Sequence, residues 1–229
     1  MLSDLHLLAG QQPGKSVWLP GWATDWRLFS LFDPPDGVLS PTGFLPSRYH
    51  DTLIRHLQDL PAGSVTLAGW SLGAYEAIRT ARAVPQSIDR LVLAGARPSY
   101  PCSDLRPLQH ALQNNTRKSL RRFYRQCFLP AQRDEFALFR EELLDKYLED
   151  MSRNRLVKGL NYLHEQRLTP DDLPECDIIF VHGENDIVAP AEEIRTLCDQ
   201  LNRVRLLMVP SAGHAVFATA PFRNLCTPS

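Results

Sequence analysis

The sequence predicts an α/β protein: a mostly parallel sheet with flanking helices and an inserted all-helical segment. Three observations carry that expectation. Short, continuous aliphatic runs end in glycine or proline turns, as at 16–19 before Pro20-Gly21, 65–68 before Gly69 and 178–181 before His182-Gly183. Amphipathic helical text lies between such runs, at 47–60, 72–83 and 191–202. From 98 to 170 no strand-like run occurs.

In chain order, Ser16-Val17-Trp18-Leu19 is too short and too continuous for an amphipathic helix and reads as a strand covered on both faces. Between Trp22 and Val65 the chain is rich in Pro and Gly (Pro34, Pro35, Gly37, Pro41, Gly43, Pro46), so a single strand at 37–40 is expected there. Strand 65–68 runs into helix 72–83, and 91–94 is a further strand. The segment 98–170 then reads as helices at 104–128, 133–150 and 152–166. Strand 178–181, helix 191–202 and strand 205–209 complete an alternating order, the mark of an α/β architecture. Residues 1–97 and 171–229 form the expected core, with 98–170 a helical cap inserted in it. Little sequence precedes residue 16 and fifteen residues follow His214, so a front strand and the closing helix are expected to be absent or abbreviated.

Bulk properties narrow the function. The 229 residues are 44% hydrophobic and 22% charged, enough to bury roughly 70% of the unfolded surface. A net charge of −1 disfavours nucleic acid as a partner. Charge is uneven, with 13 Lys/Arg against 9 Asp/Glu in 98–170. No apolar run reaches membrane-spanning length, and no basic segment leads an apolar one at the N-terminus, so a cytoplasmic monomer is expected. The five cysteines (102, 127, 176, 198, 226) lack CxxC or zinc-ligand spacing, which predicts reduced thiols, no disulfide and no metal.

The chemistry concentrates in three turns. Gly69-Trp70-Ser71-Leu72-Gly73 fits G-x-S-x-G between a strand and a helix, where a serine sits exposed on a sharp turn. In isolation a serine N-cap reads the same way; the flanking strand and helix favour a nucleophile. A serine hydroxyl needs a base to take its proton. His214, in the loop after strand 205–209, is the candidate: His50, His56, His110 and His164 fall in helical text, His6 is near the terminus, and His182 caps a strand end. The imidazole needs a carboxylate to fix its tautomer. The turn after 178–181 offers Glu184 and Asp186; Asp186 is preferred because it precedes the apolar pair Ile187-Val188, and Glu184 reads as a solvated turn residue. Oxyanion donors are expected from the backbone N–H of Leu72 and of Trp22, in the turn after strand 16–19.

With these residues in hand the chain resembles an α/β-hydrolase, whose triad follows the order Ser71, Asp186, His214. Within that superfamily it resembles the pimeloyl-[acyl-carrier protein] methyl ester esterase family. The matching text is Leu19-Pro20-Gly21-Trp22, Gly69–Gly73, Arg122-Phe123, Gly159-Leu160-Asn161-Tyr162-Leu163 and the Asp186 and His214 loops, spanning nearly the whole chain. Pro20 departs from the histidine these hydrolases usually carry there. The resemblance implies an α/β-hydrolase fold and a serine esterase that needs no cofactor. Such an enzyme frees methanol from a pimeloyl chain on acyl-carrier protein, a step of biotin synthesis, through an acyl-enzyme. It also implies that Trp22, Phe123, Tyr124, Arg125, Gln126 and Cys127 line the substrate, and that Lys118 and Arg122 grip the acidic carrier.

The residues bear on that last point independently. Arg117, Lys118, Arg121, Arg122 and Arg125 put five cations in nine residues without an acid, and 118, 121, 122 and 125 share one helical face. Lys118, Arg121 and Arg122 form the candidate carrier patch; a solvated face is the other reading of the same charges. A general short-chain carboxylesterase or thioesterase, and a non-catalytic binding protein or cofactor-free lyase on the same fold, stay open as alternatives.

Overall fold

The computed structural model describes residues 4–128, 130–210 and 212–227; residues 1–3, Leu129, Ser211 and 228–229 lie outside it. Among the described residues seven strands form one sheet: β1 (Leu5–Leu7), β2 (Ser16–Leu19), β3 (Leu39–Pro41), β4 (Val65–Trp70), β5 (Ile88–Ala94), β6 (Asp177–Gly183) and β7 (Val204–Val209). The spatial order is β1-β3-β2-β4-β5-β6-β7, with β1 antiparallel to β3 and all other pairs parallel. Every residue of β4 is buried, which explains its lack of polar alternation in a strand covered on both faces. β7 differs. It is an edge strand with alternating exposure, and Leu207 is 38% exposed.

Helices α1 (Trp26–Ser30), α2 (His50–Gln58), α3 (Leu72–Ala83), α9 (Ala191–Cys198) and α10 (Ala220–Cys226) belong to the sheet-bearing part of the chain. α3 has the bounds the sequence predicts. α2 is preceded by a 3₁₀ turn at Pro46–Arg48, and α9 ends four residues early. Short α1 was not expected; Asp25 starts it by accepting a hydrogen bond from the Arg27 amide at 3.0 Å. The front strand and closing helix are abbreviated rather than absent, at three and seven residues.

Between β5 and β6 the described residues form five α-helices: α4 (Cys102–Asn114), α5 (Thr116–Phe128), α6 (Arg133–Glu142), α7 (Leu144–Asp150) and α8 (Arg153–Glu165). Two expected long helices are each broken in two. The first breaks at Asn115, whose φ of −157° and ψ of 96° are extended and whose side chain accepts from the Lys118 amide at 2.9 Å, a cap for α5. The second breaks at Leu143. An aromatic cluster fills this insertion, with Phe139 fully buried against Tyr124, Phe128 and Tyr147, and Phe128 joins it to Phe32 and Phe217 of the sheet-bearing part in one continuous core.

The insertion is tied to the sheet part by polar contacts along its length. Tyr124 Oη donates to the Ala23 carbonyl at 2.6 Å, and Trp22 Nε1 donates to the Leu156 carbonyl at 2.9 Å. Arg27 pairs with Asp150 at 2.6 Å. Tyr162 Oη donates at 2.6 Å to Glu76, a carboxylate on α3 with no exposed surface. Arg79 also reaches Glu76 at 3.0 Å, and His50 Nδ1 lies 3.2 Å from its other carboxylate oxygen. Burial penalises the Glu76 charge, but the contacts with His50, Tyr162 and Arg79 outweigh it and hold the carboxyl below its usual range.

Candidate active site

The turn from β4 into α3 is built by backbone crowding. A Cβ on Gly69 would overlap the Gly73 carbonyl, and one on Gly73 would overlap the Leu19 carbonyl, so the helix start crosses directly over the end of β2. Ser71, between them, has φ 55° and ψ −114°, a left-handed conformation rare for a side-chain-bearing residue. Its amide is anchored to the Ala94 carbonyl of β5 at 2.8 Å. The turn thereby stands the hydroxyl above the sheet edge, at the N-terminus of α3, where the helix dipole favours negative charge.

Two loops from the same sheet end meet it. Ser71 Oγ lies 3.0 Å from His214 Nε2, and His214 Nδ1 lies 2.7 Å from Asp186 Oδ2. Asp186 Oδ1 accepts from the Val188 and Ala189 amides, both at 2.8 Å, which orients the carboxylate and leaves Oδ2 for the imidazole. All three residues are buried, His214 completely. The His214 carbonyl accepts from Trp70 Nε1 at 2.8 Å, and the Ala215 amide donates to the Cys127 carbonyl at 2.9 Å. A serine, an imidazole and a carboxylate in this line can move a proton off the hydroxyl and stabilise the imidazolium that results. Glu184, the other acid of the turn, is exposed and 3.9 Å from Arg195.

The remaining expected positions divide. Leu72 opens α3, and the first amides of a helix have no intrahelical acceptor. The Trp22 amide makes no hydrogen bond among the described residues, while its ring packs edge-on against Phe123 at 4.7 Å. A cavity of about 670 Å³ opens from Ser71 and is walled by Trp22, Leu105, Leu108, Phe123, Gln126 and Leu160, with Lys118 and Arg122 also on its lining. That volume lies within the usual range for a small-molecule site. Tyr124, Arg125 and Cys127 are not among the lining residues. Tyr124 is buried against Ala23 and Phe139, Arg125 is exposed, and Cys127 is buried, its thiol pushed up by burial. One helical face cannot present five consecutive residues to one cavity. Lys118, Arg121 and Arg122 are all exposed on α5; Arg121 lies 3.7 Å from Asp145, and the other two have no ion pair among the described residues.

Two groups at the site, Tyr100 and His182, have no catalytic part in the sequence reading, His182 being expected only to cap a strand end. The Tyr100 hydroxyl lies 3.5 Å from Ser71 Oγ, and burial pushes its phenol up, so it is a neutral hydroxyl facing the serine. His182, next to last in β6, contacts the Ala189 carbonyl at 2.8 Å and lies 3.4 Å from Asp186 Oδ2. Burial lowers its basicity, so it backs the acid loop as a neutral ring. Neither residue carries a local pattern: each matters only through what the fold places beside it. A second hollow, about 630 Å³ between Pro170–Ile178 and Gln200–Val204, holds none of these groups.

The profile of the alpha/beta hydrolase family matches residues 6–226. The chain is 26% identical over 235 aligned positions to the pimeloyl-[acyl-carrier protein] methyl ester esterase of Nitrosomonas europaea, covering 95% of this chain and 91% of that one. It is 27% identical to the protein of the same name from Aromatoleum aromaticum, covering 95% and 93%. Among solved structures, a bromoperoxidase from Bacillus anthracis superposes with a TM-score of 0.75 at 18% identity, covering 96% of this chain and 91% of that one. An esterase from Exiguobacterium antarcticum does so at 0.72 and 18%, covering 93% and 88%. At these identities the superpositions speak to the fold alone.

Proposed function

The chain belongs to the alpha/beta hydrolase family and is a carboxylic ester hydrolase, and we propose that its substrate is the methyl ester of a pimeloyl chain carried on acyl-carrier protein. The observation that carries this reading is the layout of the cavity. Ser71 stands at one place on its wall, and the exposed cations Lys118 and Arg122 stand where the wall meets solvent. A chain tethered outside to an acidic carrier and presenting its far ester to the serine fits that arrangement. The substrate names of the two relatives support it.

In this mechanism Ser71 Oγ attacks the ester carbonyl while His214 Nε2 takes its proton. Asp186 stays ionised and holds Nδ1–H in place. The amides of Leu72 and Trp22 donate to the oxyanion of the tetrahedral intermediate, each worth about 3 kcal/mol in the transition state. The intermediate collapses by breaking the bond to methoxide, which leaves as methanol with the proton from His214 Nε2–H. Water then gives one proton to His214 as its oxygen attacks the acyl-enzyme; the second collapse returns that proton to Ser71 Oγ and frees the carboxylic acid, which ionises in solvent. The helical insertion, taken as residues 98–170, serves as a cap that walls the acyl chain off from water, with Trp22, Phe123 and Gln126 against it.

Methanol release from the carrier-bound methyl ester, measured beside hydrolysis of a free para-nitrophenyl ester, tests the proposal. Lys118→Glu/Arg122→Glu is expected to slow the carrier substrate at least tenfold more than the free ester and to weaken its salt dependence. An equal effect on both substrates would remove the carrier from the proposal and leave a hydrolase of small free esters.

A further inference from the structure

The histidine loop is held by one buried side chain from the helical insertion. Gln132, four residues past the end of α5, is 3% exposed, and its own amide donates to the Phe128 carbonyl at 2.8 Å. Its carboxamide spans the peptide groups on either side of His214. Oε1 accepts from the Gly213 amide at 3.0 Å, and Nε2 donates to the Ala215 carbonyl at 3.0 Å. Three further bonds to this stretch come from elsewhere: Trp70 Nε1 serves the His214 carbonyl, the Cys127 carbonyl serves the Ala215 amide, and the Ala218 amide shares the Ala215 carbonyl at 3.0 Å. Two of these five bonds therefore belong to a single side chain more than eighty residues away in sequence.

We propose that Gln132 is a positioning residue for the reaction, its carboxamide clamping the loop on both sides of His214 and so fixing the imidazole against Ser71. The inference rests on the reading of His214 as the base of a serine hydrolase. The clamp is bidentate and directional. An acceptor must face Gly213 and a donor must face Ala215, a requirement that glutamine meets with the two ends of one planar group. A single hydrogen bond would set the loop's height and leave it free to turn; two bonds flanking the histidine set both. The tolerance is small, because Nε2 and Ser71 Oγ are already at reacting distance, 3.0 Å. A displacement of about 1 Å at such a contact costs on the order of a hundredfold in rate. The clamp also makes α5 common to both ends of the site: its face carries Phe123, Lys118 and Arg122 on the cavity, and the turn that follows it carries Gln132.

Gln132→Glu and Gln132→Ala test the proposal, with para-nitrophenyl ester as substrate and every rate divided by the number of sites titrated with a serine-reactive phosphonate. Gln132→Ala removes both bonds and is expected to lower kcat per titrated site by ten- to a hundredfold at all pH values, with KM within twofold of wild type. Gln132→Glu is nearly isosteric. Protonated, it restores the pattern, one oxygen accepting from Gly213 and the O–H donating to Ala215. Ionised, it sets a carboxylate against the Ala215 carbonyl. Its kcat relative to wild type is therefore expected to fall as pH rises and to recover towards wild type at the acid end. The two proteins differ only at this side chain, so a pH dependence of the ratio reports the new carboxyl group. A part that only stabilised the fold would change the number of titrated sites or the melting temperature, not the pH dependence of that ratio. A flat ratio for Gln132→Glu, with more than half of kcat per site kept by Gln132→Ala, would overturn the proposal. Failure of phosphonate to label wild-type Ser71 would instead bring down the hydrolase reading, and this inference with it.

Discussion

Replacing Asp186 by asparagine separates orientation from charge, and the structure says which way the new side chain must turn. Asp186 Oδ1 accepts from two buried amides, Val188 and Ala189, at 2.8 Å each. An asparagine keeps its carbonyl oxygen there, because the reverse orientation would set an NH₂ group against two N–H donors and leave both unpaired, at about 1–3 kcal/mol each. The NH₂ group then faces His214 Nδ1, where Oδ2 stood 2.7 Å away. Nδ1 must become the acceptor, so the ring's single proton moves to Nε2. That atom lies 3.0 Å from Ser71 Oγ, and once protonated it cannot take the hydroxyl's proton. The imidazolium also loses its counter-ion. The expected loss is on the order of 10⁴ in kcat, about 5 kcal/mol of transition-state stabilisation. Steady-state hydrolysis of a para-nitrophenyl ester, with thermal unfolding measured in parallel, reads both consequences. A variant of unchanged melting temperature that keeps more than a tenth of wild-type kcat would refute the tautomer argument and the assignment of Asp186.

Two further expectations concern stability. Glu76 has a folded-state pKa below its ordinary value, so its contribution is fully present above the usual carboxylate range and is lost as pH falls through the depressed folded value. Glu76→Gln should accordingly lose about 2 kcal/mol at pH 7 and much less near pH 3, giving a shallower acid limb in urea unfolding; parallel limbs would contradict the linkage. Phe139→Ala empties a fully buried site among Tyr124, Phe128 and Tyr147 and should cost about 3–5 kcal/mol, lowering Tm by roughly 10 °C; a change under 1 kcal/mol would mean that the aromatic cluster is not a packed core.

Most of the sheet and the three turns at its end were legible in the sequence because local chemistry marks them. The stretch 65–83 is an uninterrupted buried strand, a glycine-flanked turn and an alanine-rich helix, and nothing far away is needed to read it. Asp186 and His214 could be singled out because each follows a strand by only a few residues. Other features were lost for identifiable reasons. The break at Asn115 lies inside amphipathic text whose apolar period runs on into α5; its only local signal is a side chain able to cap the next helix. β1 is three residues long and exists through its pairing with β3, thirty-odd residues later. Reading 123–127 as a continuous lining ignored helical periodicity, which sends Phe123 and Gln126 to the cavity and Tyr124 and Cys127 into packing. Gln132 and Tyr100 carry no motif, since a polar residue's partners across a fold are not written in its neighbours.

The crossing of α3 over β2 has a bearing on how this protein can change. Gly69, Gly73 and the Leu19 carbonyl meet main chain to main chain, with no side chain in between. The spacing between the Ser71 turn and the turn that carries Trp22 is therefore set by peptide geometry, and amino-acid replacement elsewhere has little purchase on it. The walls of the cavity are the opposite case, because Leu105, Leu108, Phe123 and Gln126 are side chains of α4 and α5, each replaceable singly. Heritable variation is in this way channelled: it can remodel the bore and the mouth while the working distances at the bottom stay as they are. A lineage could trade one ester for another by drift in two helices, without passing through an ancestor that had lost its hydrolytic apparatus.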